Sequence, residues 1–271
     1  MNSPPLTLFN SIDLTEKYYN TTVIDTLLNV DTKHIDYDKK LLMWDTEQTK
    51  LKSLIKGSKK KSNYYEKNIN YKVKEYTKIT VGRMYPIDTK VSYQNVWGVI
   101  RRLVSNGNHL GIDIENAQPN ILYQCCVKYC NYIPPNLSMY IGDRSKSLKE
   151  IQSHYTVDRN TAKNLIIRLC YGGKYTNWAD DHSLKVIEHS NFVKSLYQEL
   201  LEIRTDKAIN FPGFDKTLEY YSVYEKKNKG DLVYTSALSV YMQDIERQII
   251  SVMIQTSKEN CLTPSSIIHD E

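Results

Sequence analysis

The chain has 271 residues, a length that can bury a sizeable core and hold one large domain or two small ones. Hydrophobic residues make up 41% of the sequence and charged residues 25%, as in an ordinary soluble globular protein. No run of about 18 apolar residues is present, which excludes a transmembrane helix. The N-terminal residues lack the basic and apolar regions of a secretory signal. We therefore expect an intracellular protein.

The charge and the cysteines identify no partner by themselves. A net charge of +5 is compatible with a polyanionic partner. The densest basic run, formed by Lys56 and residues 59–61, is interpreted as a solvated loop. The cysteines at 125, 126 and 130 lack the CxxC spacing of a zinc site, so they are interpreted as small hydrophobic residues on a helix.

The first third of the chain predicts helices and then short strands. Two helices are predicted over residues 15–29 and 41–56, followed by the basic loop. From Tyr71 the pattern changes to short β-branched pieces, such as residues 78–81. Residues 109–113 then predict a short strand with Asp113 at its end.

The rest of the chain is dominated by predicted helices. One begins near Pro119, a short one follows near 148–155, and a strong one runs over 157–171 and stops at Gly172. Apolar residues at helical spacing predict two further helices, with these buried sides: Phe192, Val193, Leu196, Leu200 and Ile203 in one, and Leu238, Met242, Ile245, Ile249 and Val252 in the other. Residues 265–271 predict an apolar strand that ends in acids.

Four residues of the predicted helix over 157–171 stand four apart and follow one face: Arg159, Lys163, Ile167 and Tyr171. Arginine binds phosphate through its planar fork and lysine as a point charge, so the first two could bind phosphates. Spacing alone also fits an ordinary exposed face of an amphipathic helix, which is the commoner case.

Two carboxylates close predicted apolar strands, Asp113 and Asp270. A carboxylate in such a place is costly to desolvate unless it is paired or binds a metal. If the two strands lie side by side, both acids could reach a pair of Mg²⁺ ions about 3.5–4 Å apart. Either acid alone is more often a turn or capping residue.

The order of these features resembles family A DNA polymerases. In that family a motif A strand carries the first metal-binding Asp, matched here by Asp113. Motif B reads Arg, three residues, Lys, seven residues, Tyr-Gly, matched by Arg159, Lys163 and Tyr171-Gly172. Motif C reads His-Asp-Glu and is matched by residues 269–271. Three upstream elements also occur in order, and they are Gly82-Arg83, Gln94-Asn95 and Ile100-Arg101.

Departures from the family pattern point to one of its branches. The sequence that follows Asp113 is closer to the transposon-virus polymerases of virophages and related elements, where a superfamily-three helicase is often fused to the polymerase. This sequence has no Walker A phosphate loop, so any helicase is expected outside it. Gln118 stands where the family places a sugar-screening Glu, and Ile167 replaces an aromatic residue. Glu115 is a candidate for an additional metal or water ligand.

The resemblance implies a role for each matched residue. Asp113 and Asp270 would hold two Mg²⁺ ions, within a catalytic set that also includes His269 and Glu271. The incoming nucleotide would be bound by Arg159, Lys163, Ile167 and Gln118, and Tyr171 would pack beside the templating base pair. The primer and template strands would be contacted by Arg83, Gln94, Asn95 and Arg101.

The implied fold is α+β, a helix-rich polymerase right hand with a small antiparallel palm sheet and helical fingers, truncated after motif C. Four regions are expected: a helical, partly thumb-like region over 1–75, a palm with motif A over 76–135, fingers with motif B over 136–230, and a palm return with motif C over 231–271.

The implied function is template-directed DNA synthesis in the replication of a virus or mobile element. Glu271 favours DNA over RNA synthesis, because single-subunit RNA polymerases normally lack an acid after the motif C Asp. A single-subunit RNA polymerase, a primase-polymerase and an inactive nucleic-acid-binding fragment remain alternatives. The expected partners are primer–template DNA, dNTPs and a helicase encoded downstream, without a membrane. The expected location is the host cytoplasm or a virus factory.

Overall fold

The chain forms two compact units in a computed structural model. The first unit takes its described residues from 1–74, 84–113 and 248–271, and the second from 75–83 and 114–247. The structure describes residues 9–29, 39–75, 80–87, 91–186, 188–223 and 231–268. Helices predominate and one small sheet is present in this part of the chain, so the predicted α+β class is confirmed. No described helix is long and apolar enough to cross a membrane.

A small sheet organises the first unit around its longest strand. Its strands are β1 (Ser11–Tyr19), β2 (Lys59–Lys60), β3 (Tyr64–Glu75) and β4 (Thr80–Pro86). Both β1 and β2 pair antiparallel with β3, and β4 pairs with β3 as well. The sheet is therefore formed mainly by the region that was predicted to be helical, residues 1–75, and that part of the prediction is wrong.

β1 occupies part of the segment that was predicted as a helix over 15–29. Every second side chain of this strand is buried, namely those of Ile12, Leu14, Glu16 and Tyr18. This two-residue period is typical of a half-buried strand. Asn20 then takes a left-handed conformation with φ 60°, which asparagine tolerates better than most residues. The helix α1 (Thr21–Asn29) follows, so the prediction is confirmed only from Thr21 onward.

Two further helices complete the first unit with the sheet. α2 (Lys39–Ile55) confirms the helix predicted over 41–56, and α3 (Gly98–Ser105) follows a 3₁₀ turn over Tyr93–Asn95. Helices and sheet share one apolar cluster, which contains Tyr18, Ile24, Leu51, Leu54, Tyr65, Val91, Tyr93, Val96, Ile100 and Val104. Burial of this cluster supplies hydrophobic stabilisation to the unit.

A buried carboxyl group lies at the centre of the first unit. Glu16 is fully buried, and its Oε2 accepts hydrogen bonds from the Tyr18 hydroxyl at 2.7 Å and the Tyr93 backbone N–H at 2.9 Å. Its Oε1 accepts from the Tyr71 hydroxyl and from Ser266 Oγ at 2.8 Å. Burial, and then the charge of Glu16, raises the pKa of both tyrosines, which keeps them protonated as donors. This network joins β1 and β3 to the segment that follows the last helix.

Neither of the two predicted acid-bearing strands is present among the described residues. Residues 109–113 are irregular, because the apolar side chains have nothing to pack against: Leu110 is 85% exposed and Ile112 is 61% exposed. Residues 265–268 are also irregular, although Ile267 is buried against the sheet. The last three residues, 269–271, lie outside the described residues.

The second unit is helical and confirms most of the predicted helices. Its elements are α4 (Ala117–Cys130), α5 (Pro135–Gly142), α6 (Arg144–Tyr155), α7 (Arg159–Cys170), α8 (Tyr175–Asp181), α9 (Asn191–Glu202), a π-helical turn (Ile203–Lys207), a 3₁₀ turn (Ala208–Asn210), α10 (Phe214–Val223) and α11 (Asp231–Glu259). β4 and α11 also contribute residues to the first unit. Burial raises the pKa of Cys125 and Cys126 to about 12, consistent with their prediction as hydrophobic residues.

The buried side of α11 differs from the predicted one. Leu238 and Met242 are buried as expected, but Val252 is exposed. The buried positions continue instead at Glu246 and Arg247, two charged residues. Polar contacts explain why these charged residues can be buried, because the side chains of Glu246 and Arg247 both have partners within the second unit.

Replacement of Glu16 by alanine tests the buried carboxyl group. We expect Glu16→Ala to lower the free energy of unfolding by about 3 kcal/mol, because three buried donors and the partly buried Ser266 hydroxyl lose their acceptor. The control is Glu66→Ala on the neighbouring strand, where Glu66 forms a partly exposed ion pair with Lys61 at 3.2 Å. That change should cost less than about 1 kcal/mol in chemical denaturation. Equal losses for the two variants would contradict this description of Glu16.

Candidate functional site

Two residues of the predicted site converge on a carboxylate of α11 in the second unit. Glu246 Oε2 accepts hydrogen bonds from Arg83 Nε at 3.2 Å and from Arg83 Nη2 at 3.1 Å. The same oxygen accepts from Gln118 Nε2 at 3.0 Å. Arg83 lies on β4 and Gln118 on the first turn of α4, so one carboxylate joins three elements.

The Arg83–Glu246 ion pair is largely shielded from water. The side chain of Arg83 is 12% exposed and that of Glu246 is 9% exposed. Burial of an ion pair is costly unless further hydrogen bonds satisfy the charges, and the Gln118 amide supplies one here. Arg83 is therefore already neutralised, which makes it a poor candidate for a phosphate contact.

Tyr171 lies beside the same ion pair. It caps the C-terminus of α7, where its backbone N–H donates to the carbonyl oxygen of Ile167. Burial raises the pKa of Tyr171, and the charge of Arg83 acts in the opposite direction. The structure thus brings together three predicted site residues around Glu246, a residue that the sequence reasoning missed.

The turn after Tyr171 requires glycine. Gly172 has φ +79°, a conformation that residues with a Cβ rarely adopt. A Cβ at this position would lie 2.1 Å from Arg204 Nη1 and 2.4 Å from Thr235 Cγ2. Close packing at this turn therefore explains the glycine of the Tyr-Gly pair.

Arg159 and Lys163 lie on the N-terminal half of α7. Arg159 is exposed and Lys163 is partly exposed, and neither forms an ion pair with a described residue. By contrast, Arg168 on the same helix pairs with Asp181 at 2.6 Å. The Asp158 side chain caps the helix by accepting a hydrogen bond from Thr161 N at 2.7 Å. Neither cation is engaged in an ion pair with a described residue, and their predicted contact with phosphate groups stays a prediction. Ile167, one turn further along, is only partly buried.

The other predicted nucleic-acid contacts lie in the first unit and make structural hydrogen bonds. Gln94 Nε2 donates to the Met84 carbonyl at 3.1 Å, and Arg101 Nη1 donates to the Tyr93 carbonyl at 3.3 Å. Asn95 Oδ1 accepts from a serine hydroxyl at 3.4 Å. These contacts hold the 3₁₀ turn and α3, and the predicted contacts with primer and template stay predictions.

The described residues supply only one carboxylate of the predicted Mg²⁺ pair. Asp113 is exposed and forms no hydrogen bond or ion pair with a described residue, so its carboxylate is free to bind a cation. Glu115 lies 3.6 Å from Arg144 Nη1 and is therefore occupied by an ion pair. His269, Asp270 and Glu271 lie outside the described residues. No group of three or more potential metal ligands occurs in the described ranges, and the Mg²⁺ ions stay a prediction.

One known protein is similar to most of this chain. The similarity is to "Putative helicase V13" of Sputnik virophage, with 31% identity over 185 residues. The match covers 66% of this chain but only 22% of the virophage protein. No known family model and no solved structure matches the chain.

The relative's name contradicts the predicted DNA polymerase activity. A helicase is a different class of enzyme, so the assignment as a nucleotidyltransferase is corrected, together with the RNA polymerase and primase-polymerase alternatives. The resemblance depended on short elements, each of which is weak by itself. Where those elements are described, Arg83, Gln94 and Arg101 make internal contacts that explain their presence structurally.

A double-mutant cycle tests the Glu246 cluster. We expect Glu246→Gln and Arg83→Met to show a coupling free energy of about 2 kcal/mol, because the ion pair is shielded from water. The control cycle is Glu188→Gln with Lys194→Met, whose exposed partners lie 3.4 Å apart. That coupling should stay below about 1 kcal/mol when unfolding is followed with denaturant. Similar couplings for both pairs would rule out a special role for Glu246.

Proposed function

We propose that this chain is a nucleic-acid-binding part of a helicase-like viral protein. The observation that carries the proposal is the 31% identity over 185 residues with the virophage protein that is named a helicase. Helicases act on nucleic acid strands. A part of such a protein can hydrolyse nucleotide, hold a strand or connect the parts that do.

Strand binding is the role that fits this sequence best. The sequence contains no Walker A phosphate loop, the element whose backbone N–H groups and lysine bind the phosphates of ATP in many motor domains. The chain spans 22% of its relative, and we place nucleotide hydrolysis in another part of such a protein. The net charge of +5 is favourable for contact with a polyanion.

The helix α7 provides the strongest candidate for that contact. Arg159 and Lys163 have no ion-pair partner among the described residues, so phosphate groups would not have to displace an internal carboxylate. The C-terminal end of the helix is fixed through Tyr171 and Gly172, which gives the two cations a rigid base. The right-hand arrangement of the fold and the Mg²⁺ ions at Asp113 and Asp270 are not needed for this proposal and stay predictions.

Neutralisation of the α7 cations should weaken binding in a salt-dependent way. We expect Arg159→Ala with Lys163→Ala to reduce affinity for a fluorescein-labelled 20-nucleotide oligo-dT. Fluorescence anisotropy over a salt series should show a slope lowered by roughly 1–2, because each lost phosphate contact removes about one released counterion. The wild-type chain should hydrolyse no ATP, because it has no phosphate loop.

The matched control carries the same change in charge elsewhere in the second unit. Lys185 and Lys216 are exposed, and Lys185→Ala with Lys216→Ala should leave affinity and salt slope nearly unchanged. Three results would contradict the proposal: no binding by the wild type, equal losses in both double variants, or extension of a primed template by the chain.

A further inference from the structure

A row of aromatic rings lies on the surface of the second unit. His154 at the end of α6, His189 before α9, Tyr175 at the start of α8 and Tyr197 on α9 are all exposed or partly exposed. The ring centroids of His189 and Tyr175 are 4.7 Å apart, and those of Tyr175 and Tyr197 are 5.4 Å apart. Three separate segments thus contribute rings to one continuous surface, which we call the aromatic row.

Hydrogen bonds hold the histidine end of the aromatic row in place. The buried Tyr155 connects the two histidines, with ring centroids 4.7 Å from His154 and 5.9 Å from His189. Its hydroxyl accepts from Ser190 N at 3.2 Å and lies 3.2 Å from His189 Nδ1. His154 Nε2 lies 2.8 Å from the carbonyl oxygen of Glu188. Rings that are already fixed lose little conformational entropy when they bind a ligand.

An open groove of about 720 Å³ lies along another side of α9. Lys194, Gln198 and Leu201 line it at helical spacing, and Thr205 of the π-helical turn continues the line. Tyr132 also lines the groove. Lys194 lies three residues before Tyr197, so one helix carries both the groove lining and a member of the aromatic row.

The carboxylates of the groove are already occupied. Glu199 accepts hydrogen bonds from the backbone N–H groups of Asn136 and Leu137, each at 2.8 Å, at the start of α5. Glu202 pairs with Lys207 at 3.0 Å. Lys207 therefore compensates the charge of Glu202, and the N–H groups at the start of α5 stabilise the charge of Glu199.

We propose that the aromatic row and the α9 groove together form a binding track for single-stranded nucleic acid. The proposal extends the proposed function and depends on it. Aromatic faces bind unpaired bases by stacking without regard to sequence, and cations beside them follow the backbone. The exposed Lys174, which precedes α8, is placed to supply that charge. Lys194 would have to exchange its exposed ion pair with Glu188, at 3.4 Å, for a phosphate group. The bases of a duplex are already stacked on one another, so the track should favour single strands.

Replacement of two tyrosines tests the track. We expect Tyr175→Leu with Tyr197→Leu to weaken oligo-dT binding about tenfold through lost stacking, with an unchanged salt slope. Tyr175→Phe with Tyr197→Phe should retain affinity within about twofold, since phenylalanine still stacks. The control is Tyr123→Leu with Tyr221→Leu, which removes two partly exposed tyrosines from α4 and α10.

The outcomes separate this inference from the proposed function. Circular dichroism melting confirms that the variants fold, and oligo-U and a 20-base-pair duplex serve as further ligands. The track is supported if the leucine variant alone loses single-strand affinity while duplex binding changes little. It is overturned if the leucine variant binds like the wild type while loss of the α7 cations still weakens binding. Absence of binding by the wild type would overturn the proposed function itself.

Discussion

The Oε2 atom of Glu246 is the point on which the candidate site depends. It accepts hydrogen bonds from a strand residue, Arg83, and from a helix residue, Gln118, and it belongs to a third element, α11. Because the pair is mostly buried, removal of either charge deprives the other of this ion pair where little water can replace it. The cluster therefore fixes the geometry beside Tyr171 and the end of α7. We interpret it as a structural support for the binding surface, since its own charges are already satisfied.

The first unit also contains a buried carboxyl group, which has different hydrogen-bond partners. Glu16 is a buried carboxyl group whose acceptors are all engaged, by hydroxyl groups and one backbone N–H. Its contact with Ser266 fixes the segment that leads to the last residues of the chain. In the described part of the chain, both units thus place a buried carboxylate at the centre of a polar network.

The sequence predicts most helices, because their apolar spacing is regular, as in α7 and α9. It does not predict β1, where the charged Glu16 occupies a buried position of the alternation and conceals the strand. The predicted strand over 109–113 fails because hydrophobicity alone does not guarantee a neighbouring strand for Leu110 and Ile112. The sequence contains one sign that Glu246 is buried, because Glu246 continues the four-residue spacing of the buried residues Leu238 and Met242. The predicted buried side included only the apolar residues of this helix, although a largely buried arginine can satisfy a charged residue on that spacing.

In the proposed function, the second unit holds a nucleic acid strand through α7 and α9. Amide hydrogen exchange, measured with and without saturating oligo-dT, tests it most directly. If the strand binds there, amide exchange should slow in residues 159–170 and 191–202 when the oligonucleotide is bound. Exchange in residues 214–223 of α10 should not change. Unchanged exchange in both α7 and α9 under saturating conditions would contradict it.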